Sequence, residues 1–134
     1  MKFQNREHEG NLLKLLVKDQ SHPRDKERRA LFYILAGNAD LYSKADRIYD
    51  FNEHLIKLEC LNDGSVDLCS SSRALVKLAY NLYNGYEDSD FSPMDIFSNL
   101  DTDNYHLAME SLNVRFGYTT EEKVIHEDDE EMEM

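Results

Sequence analysis

The spacing of apolar and polar positions predicts a series of helices. The clearest runs from Ser70 to Tyr86, where Leu75, Leu78, Ala79 and Leu82 recur at steps of three and four, flanked by Val76, Tyr80 and Tyr83. Ser70, Ser71 and Ser72 offer hydroxyl N-caps, and Gly85 is placed as a left-handed terminator with Tyr86 folding back on the last turn. This segment is expected to be the most buried helix, with the others packed around it. Residues 5–18 predict an earlier helix, capped by Asn5, with Leu12, Leu13, Leu15, Leu16 and Val17 on its buried side. A second spans about Arg24 to Ala36, with Pro23 suited to its first position and Ala30–Ala36 apolar nearly all round.

Asn38 to Asp50 reads as a third, shorter helix. From Phe51 to Cys69 the periodicity weakens, and a small hairpin turning at Asp63-Gly64, a helix and an irregular loop all fit. Ser92-Pro93-Met94-Asp95 has the composition of a compact helix start. A last helix follows from Asp101 to about Phe116, with Tyr105, Ala108, Met109, Leu112 and Phe116 on one side and Gly117 as its stop. The expected fold is a mainly all-α bundle of five to six helices over residues 1–118, with a possible small β-hairpin near residues 55–68. Residues 119–134, holding eight acids and one lysine, are expected to be a disordered tail, since they lack the apolar surface that offsets ordering entropy.

Charge sharpens the picture. The net charge is −12, unevenly placed. Through Lys77 there are 13 Lys or Arg against 12 Asp or Glu; beyond it there are 2 against 15, with no base between Lys77 and Arg115. Direct binding to nucleic acid is disfavoured, because phosphates demand a basic surface. A basic protein partner is favoured instead, through the acids Glu87, Asp88, Asp90, Asp95, Asp101, Asp103 and Glu110 and the tail acids Glu127, Asp128, Asp129, Glu130 and Glu131. Such carboxylates can stand in for phosphates in a basic channel, and a solvated acidic surface is the plainer reading.

Catalytic signals are weak. His8, His22, His54, His106 and His126 show no metal-ligand spacing, the serines lack a glycine elbow, and the five glycines sit singly rather than in a phosphate loop. Glu53 and His54 are adjacent but point to different sides of a regular element. Arg24, Lys26, Arg28 and Arg29 interleave with Asp25 and Glu27 as a self-paired face. Cys60 and Cys69 fit no metal or redox spacing and read as reduced thiols. No cofactor, no metal and no enzymatic activity are expected. No run is long enough to span a membrane and the polar N-terminus lacks a signal-peptide core, so the expected compartment is the cytosol.

Three stretches, Met1-Lys-Phe-Gln-Asn-Arg-Glu-His, Val76-Lys-Leu-Ala-Tyr-Asn-Leu-Tyr-Asn-Gly-Tyr and Asp95-Ile-Phe, resemble a family of small bacterial proteins of unknown function, often carried on phages and mobile elements. The resemblance covers about residues 1–117. It brings no activity and no site residues, but implies a setting in which small acidic proteins bind and disable a host protein. The expectation that follows is a non-enzymatic binding module. One form is an inhibitor of a host nucleic-acid-binding defence protein, such as a CRISPR effector or restriction enzyme. The alternative is a regulatory adaptor that binds a protein through an apolar helix face. A small enzyme assembling residues such as Glu53, His54 and Cys69 is the third reading.

Overall fold

The computed structural model describes residues 1–118, which fold as eight helices and one two-stranded ribbon. In chain order these are α1 (Arg6–Asp19), α2 (Lys26–Gly37), α3 (Ala39–Ser43), α4 (Ala45–Ile48), β1 (Tyr49–Asp50), β2 (Leu55–Ile56), α5 (Glu59–Asn62), α6 (Ser70–Asn84), α7 (Pro93–Phe97) and α8 (Thr102–Phe116). The mainly all-α class holds.

The organising helix is α2, and not the segment from Ser70 onward. Every residue from Ala30 to Ala36 is buried, and α2 packs against α1, α6 and α8. A helix apolar all round must be surrounded, whereas α6 keeps a polar side. Full burial of side chains such as Leu31, Ile34 and Leu35 contributes about 1.5–3 kcal/mol each. The start of α2 also differs from expectation: Asp25 caps it by accepting from the Arg28 amide at 3.0 Å, and Pro23 lies ahead of the helix.

The predicted single helix at 38–50 is broken at Lys44, which caps α3 with non-helical backbone, and Tyr49 turns extended. That places the Tyr49 ring edge-on to Phe32 and Phe51 in the core. These breaks, with the single turn α5, account for eight helices rather than six. A hairpin exists, but upstream of Asp63-Gly64. β1 and β2 run antiparallel, with Tyr49 opposite Ile56 and Asp50 opposite Leu55. Its turn is organised by Asp50, whose carboxylate accepts from the amides of Asn52 and Glu53 at 2.9 and 3.0 Å. An aspartate caps this turn as readily as a glycine permits one.

Neither Ser70, Ser71 nor Ser72 is the N-cap of α6; Cys69 holds that position without a side-chain cap bond. Gly85 and Gly117 end α6 and α8 at φ +83°, where a side chain would be strained. Ser92 and Asp95 form the expected reciprocal capping box at α7.

Candidate functional site

The acids after Lys77 do not converge on one surface role. Asp88 is tied to Lys77 at 3.1 Å and accepts from the Tyr86 hydroxyl at 3.0 Å. Asp95 belongs to the α7 capping box, where bonds from the Ser92 amide and hydroxyl hold its carboxyl below the usual range. Asp101 caps α8, accepting from the Asn104 amide at 2.9 Å. Glu110, expected on the surface, is 7% exposed and accepts from the Lys2 amide at 3.0 Å and the Asn113 side chain at 2.9 Å. Glu87, Asp90 and Asp103 are exposed, as are Asp88, Asp95 and Asp101 despite their bonds, so Glu110 alone of this set is buried. Glu127, Asp128, Asp129, Glu130 and Glu131 lie outside the described residues.

The more informative surface is α8 itself. At 100° per residue, Tyr105, Met109, Leu112 and Phe116 fall within about 60° of one another. Leu107, Ser111 and Val114 fall opposite and are buried against the rest of the bundle. Of the residues the sequence places on one side of the helix, Ala108 is buried, but Tyr105 is 44% exposed, Met109 41% and Phe116 60%, with Leu112 half-buried. The helix thus has two apolar faces. Flanking the outer one, Phe97 of α7 meets Tyr105 ring to ring at 6.0 Å, and the Arg115 guanidinium lies 5.7 Å from the Phe116 ring.

A second constellation escaped the sequence reading. Asp19, buried in the last turn of α1, accepts from His54 Nδ1 at 2.7 Å and pairs with Arg28 Nε at 3.2 Å. Arg28 also donates to the Tyr49 and Tyr83 hydroxyls, each at 3.1 Å, to Asp25 at 2.9 Å and to the His54 carbonyl at 3.3 Å. His54 and Gln20 are left-handed, at φ +61° and +58°, an uncommon conformation for residues other than glycine. An acid at the negative end of a helix is poorly placed unless a cation compensates it, and here Arg28 does. No sequence signal joins residues 19, 28 and 54. With the carboxylate and guanidinium bonded on several sides, the arrangement fastens the hairpin to α1 and α2. Its one chemically available feature is the half-exposed His54 ring over an open hollow of about 280 Å³. Glu53 is exposed and Cys69 lies elsewhere, as the N-cap of α6, so the trio considered for an enzyme is not assembled.

Cys69 is exposed, and the Ser71 and Ser72 hydroxyls, each 3.4 Å from its sulfur, pull the thiol down to about 7. Cys60 is buried, and burial pushes its thiol up. Among the described residues no group of three or more His, Cys, Asp or Glu could hold a metal ion, and no helix is long and apolar enough to cross a membrane.

A family model described as a family of unknown function, DUF6075, matches residues 1–128. The chain belongs to that family. The DUF6075 match runs past the stretch over which the resemblance was visible, and takes in residues 119–128 with their acids. No curated protein and no solved structure matches this DUF6075 member.

Proposed function

We propose that this DUF6075 member is a non-enzymatic protein-binding module that docks its partner on the outer face of α8. The observation that carries the reading is the second apolar face of that helix, formed by Tyr105, Met109, Leu112 and Phe116. An apolar stripe three turns long and turned to solvent is the footprint of a helix or groove from another molecule. The acids after Lys77 serve solubility and steer a basic partner toward this side.

A second reading, imitation of nucleic acid toward a host defence protein, is supported by the charge balance of 2 bases against 15 acids after Lys77. The burial of Glu110, and the local pairing or capping bonds already held by the exposed Asp88, Asp95 and Asp101, weaken it.

The two readings separate in one capture experiment. The full chain, with nuclease present, is used to retain a partner at about 0.1 M and about 1 M salt, where the screening length falls from about 10 to 3 Å. The docking reading expects Met109→Ser with Phe116→Ser to lose a partner that wild type keeps at high salt. Mimicry expects Glu87→Gln with Asp90→Asn to lose it, and wild type to release it at high salt. A partner retained equally by all three proteins overturns both readings.

A further inference from the structure

The outer face of α8 adjoins a cleft of about 520 Å³ between that helix and the N-terminal segment. Met109 and Leu112 belong to both, so the apolar stripe forms one wall of the cleft. The other walls bring in Lys2, Gln4, Asp103 and Glu110. Glu110 is held in place: its two oxygens take one hydrogen bond each, from the Lys2 amide and the Asn113 side chain, and the Tyr33 hydroxyl fixes the same strand of chain by donating to the Lys2 carbonyl. Each carboxylate oxygen accepts more than one bond, so these contacts orient Glu110 without exhausting it. Asp103, about two turns earlier, is exposed at the same cleft.

We infer that the partner docked on α8 is a basic amphipathic helix. Its apolar side chains cover Tyr105, Met109, Leu112 and Phe116, while one arginine or lysine enters the cleft to meet Asp103 and Glu110. The inference rests on the docking reading above and names the partner's chemistry. Three arguments support it. The stripe recurs at i, i+4, i+7 and i+11 and is about 16 Å long, the span over which a partner helix presents its own anchors. The long aliphatic stem of a lysine or arginine suits the Met109–Leu112 wall, and its charged head suits the carboxylates beyond. The net charge of −12, with no base between Lys77 and Arg115, repels an acidic partner and equally a second copy of this chain.

The test uses the full chain and two capped synthetic peptides. Both carry leucines at i, i+4, i+7 and i+11; one is bordered by arginines, the other by glutamines. Binding is followed by NMR at the Met109 methyl and the Asn113 side-chain amide. The arginine peptide is expected to shift both signals saturably, with the glutamine peptide at least tenfold weaker. Asp103→Asn, at an exposed position, is expected to lower affinity for the arginine peptide severalfold and leave the glutamine peptide unchanged. Asp103→Asn with Glu110→Gln should take the loss to tenfold or more, checked against the melting curve of the variant. Equal binding of the two peptides, or an arginine peptide indifferent to Asp103, overturns the basic partner and leaves docking on α8 standing. A Met109 methyl that neither peptide moves overturns the docking reading itself. Concentration-dependent self-association that shifts the same methyl assigns the face to a second copy and overturns the proposal.

Discussion

The imidazole of His8 has both ring nitrogens engaged in the core: Nδ1 accepts from the Gln4 amide at 2.9 Å, and Nε2 donates to the Tyr33 carbonyl at 2.8 Å. That pattern requires the neutral ring, and burial pushes its pKa below the ordinary value although the Tyr33 carbonyl opposes the shift. The unfolded chain therefore takes up this proton first as pH falls, from about 6.5 downward. The His8 contribution to stability is complete above that value and is lost below it, at up to about 1.4 kcal/mol per pH unit. Urea midpoints are expected to fall between pH 7.5 and 5.5 in wild type and to fall less in His8→Gln. Asp19 makes a different prediction. Asp19→Ala leaves Arg28 and His54 without the buried carboxylate they share, and is expected to cost about 3 kcal/mol. Asp19→Asn, which keeps an acceptor, should cost less, with urea titration measuring both. Cys69 offers a kinetic check: alkylation by iodoacetamide should rise through a midpoint near pH 7, and Ser71→Ala with Ser72→Ala should move that midpoint upward.

At the scale of elements, α1, α2 and α8 meet at Gly37. A Cβ built there would stand 2.3 Å from Leu107 Cδ1 and 2.7 Å from His8 Cε1. Both neighbours are fully buried, so neither can step aside cheaply. Gly37→Ala is expected to destabilise by about 1–3 kcal/mol, read from the urea midpoint, despite alanine being the better helix former. Which elements exist was largely legible in the sequence: the caps at Asn5 and Ser92, the stops at Gly85 and Gly117 and the apolar run at Ala30–Ala36 all stand where local chemistry put them. What was not legible depends on neighbours. Tyr49 turns extended because Phe32 and Phe51 receive its ring, and those residues are distant or unreadable as partners in a linear pattern. On α8 the sequence pattern merges two stripes, grouping the buried Ala108 with side chains that face out. The outer stripe carries the aromatic rings of Tyr105 and Phe116, so it dominates the pattern, yet Leu107 and Val114 face inward with Ala108 and Ser111. The inner stripe is the one whose small residues permit close approach to the bundle.

At the scale of the molecule, the same competition of faces gives the sharpest division between what holds the fold and what the fold presents. If the outer face of α8 belonged to the core, polar substitution there would cost as much as it does inside. Leu107 is fully buried, and Leu107→Ala is expected to cost about 2–5 kcal/mol through lost burial and the cavity left behind. Met109 and Phe116 are 41% and 60% exposed, so Met109→Ser with Phe116→Ser is expected to change stability by no more than about 0.5 kcal/mol per site. Both polar replacements should also reduce binding of an apolar dye to the native chain, because they remove the stripe from the surface without opening the interior. A paired set of urea titrations, with dye binding measured on the same samples, separates the cases. Outer-face variants that melt as early as Leu107→Ala would mean that α8 spends both apolar faces on the fold and has none to offer a partner. Variants that keep the wild-type midpoint while losing dye place the outer stripe outside the folding core, as the docking proposal requires. The net charge of −12 then favours a partner of opposite sign, as the basic-helix proposal requires.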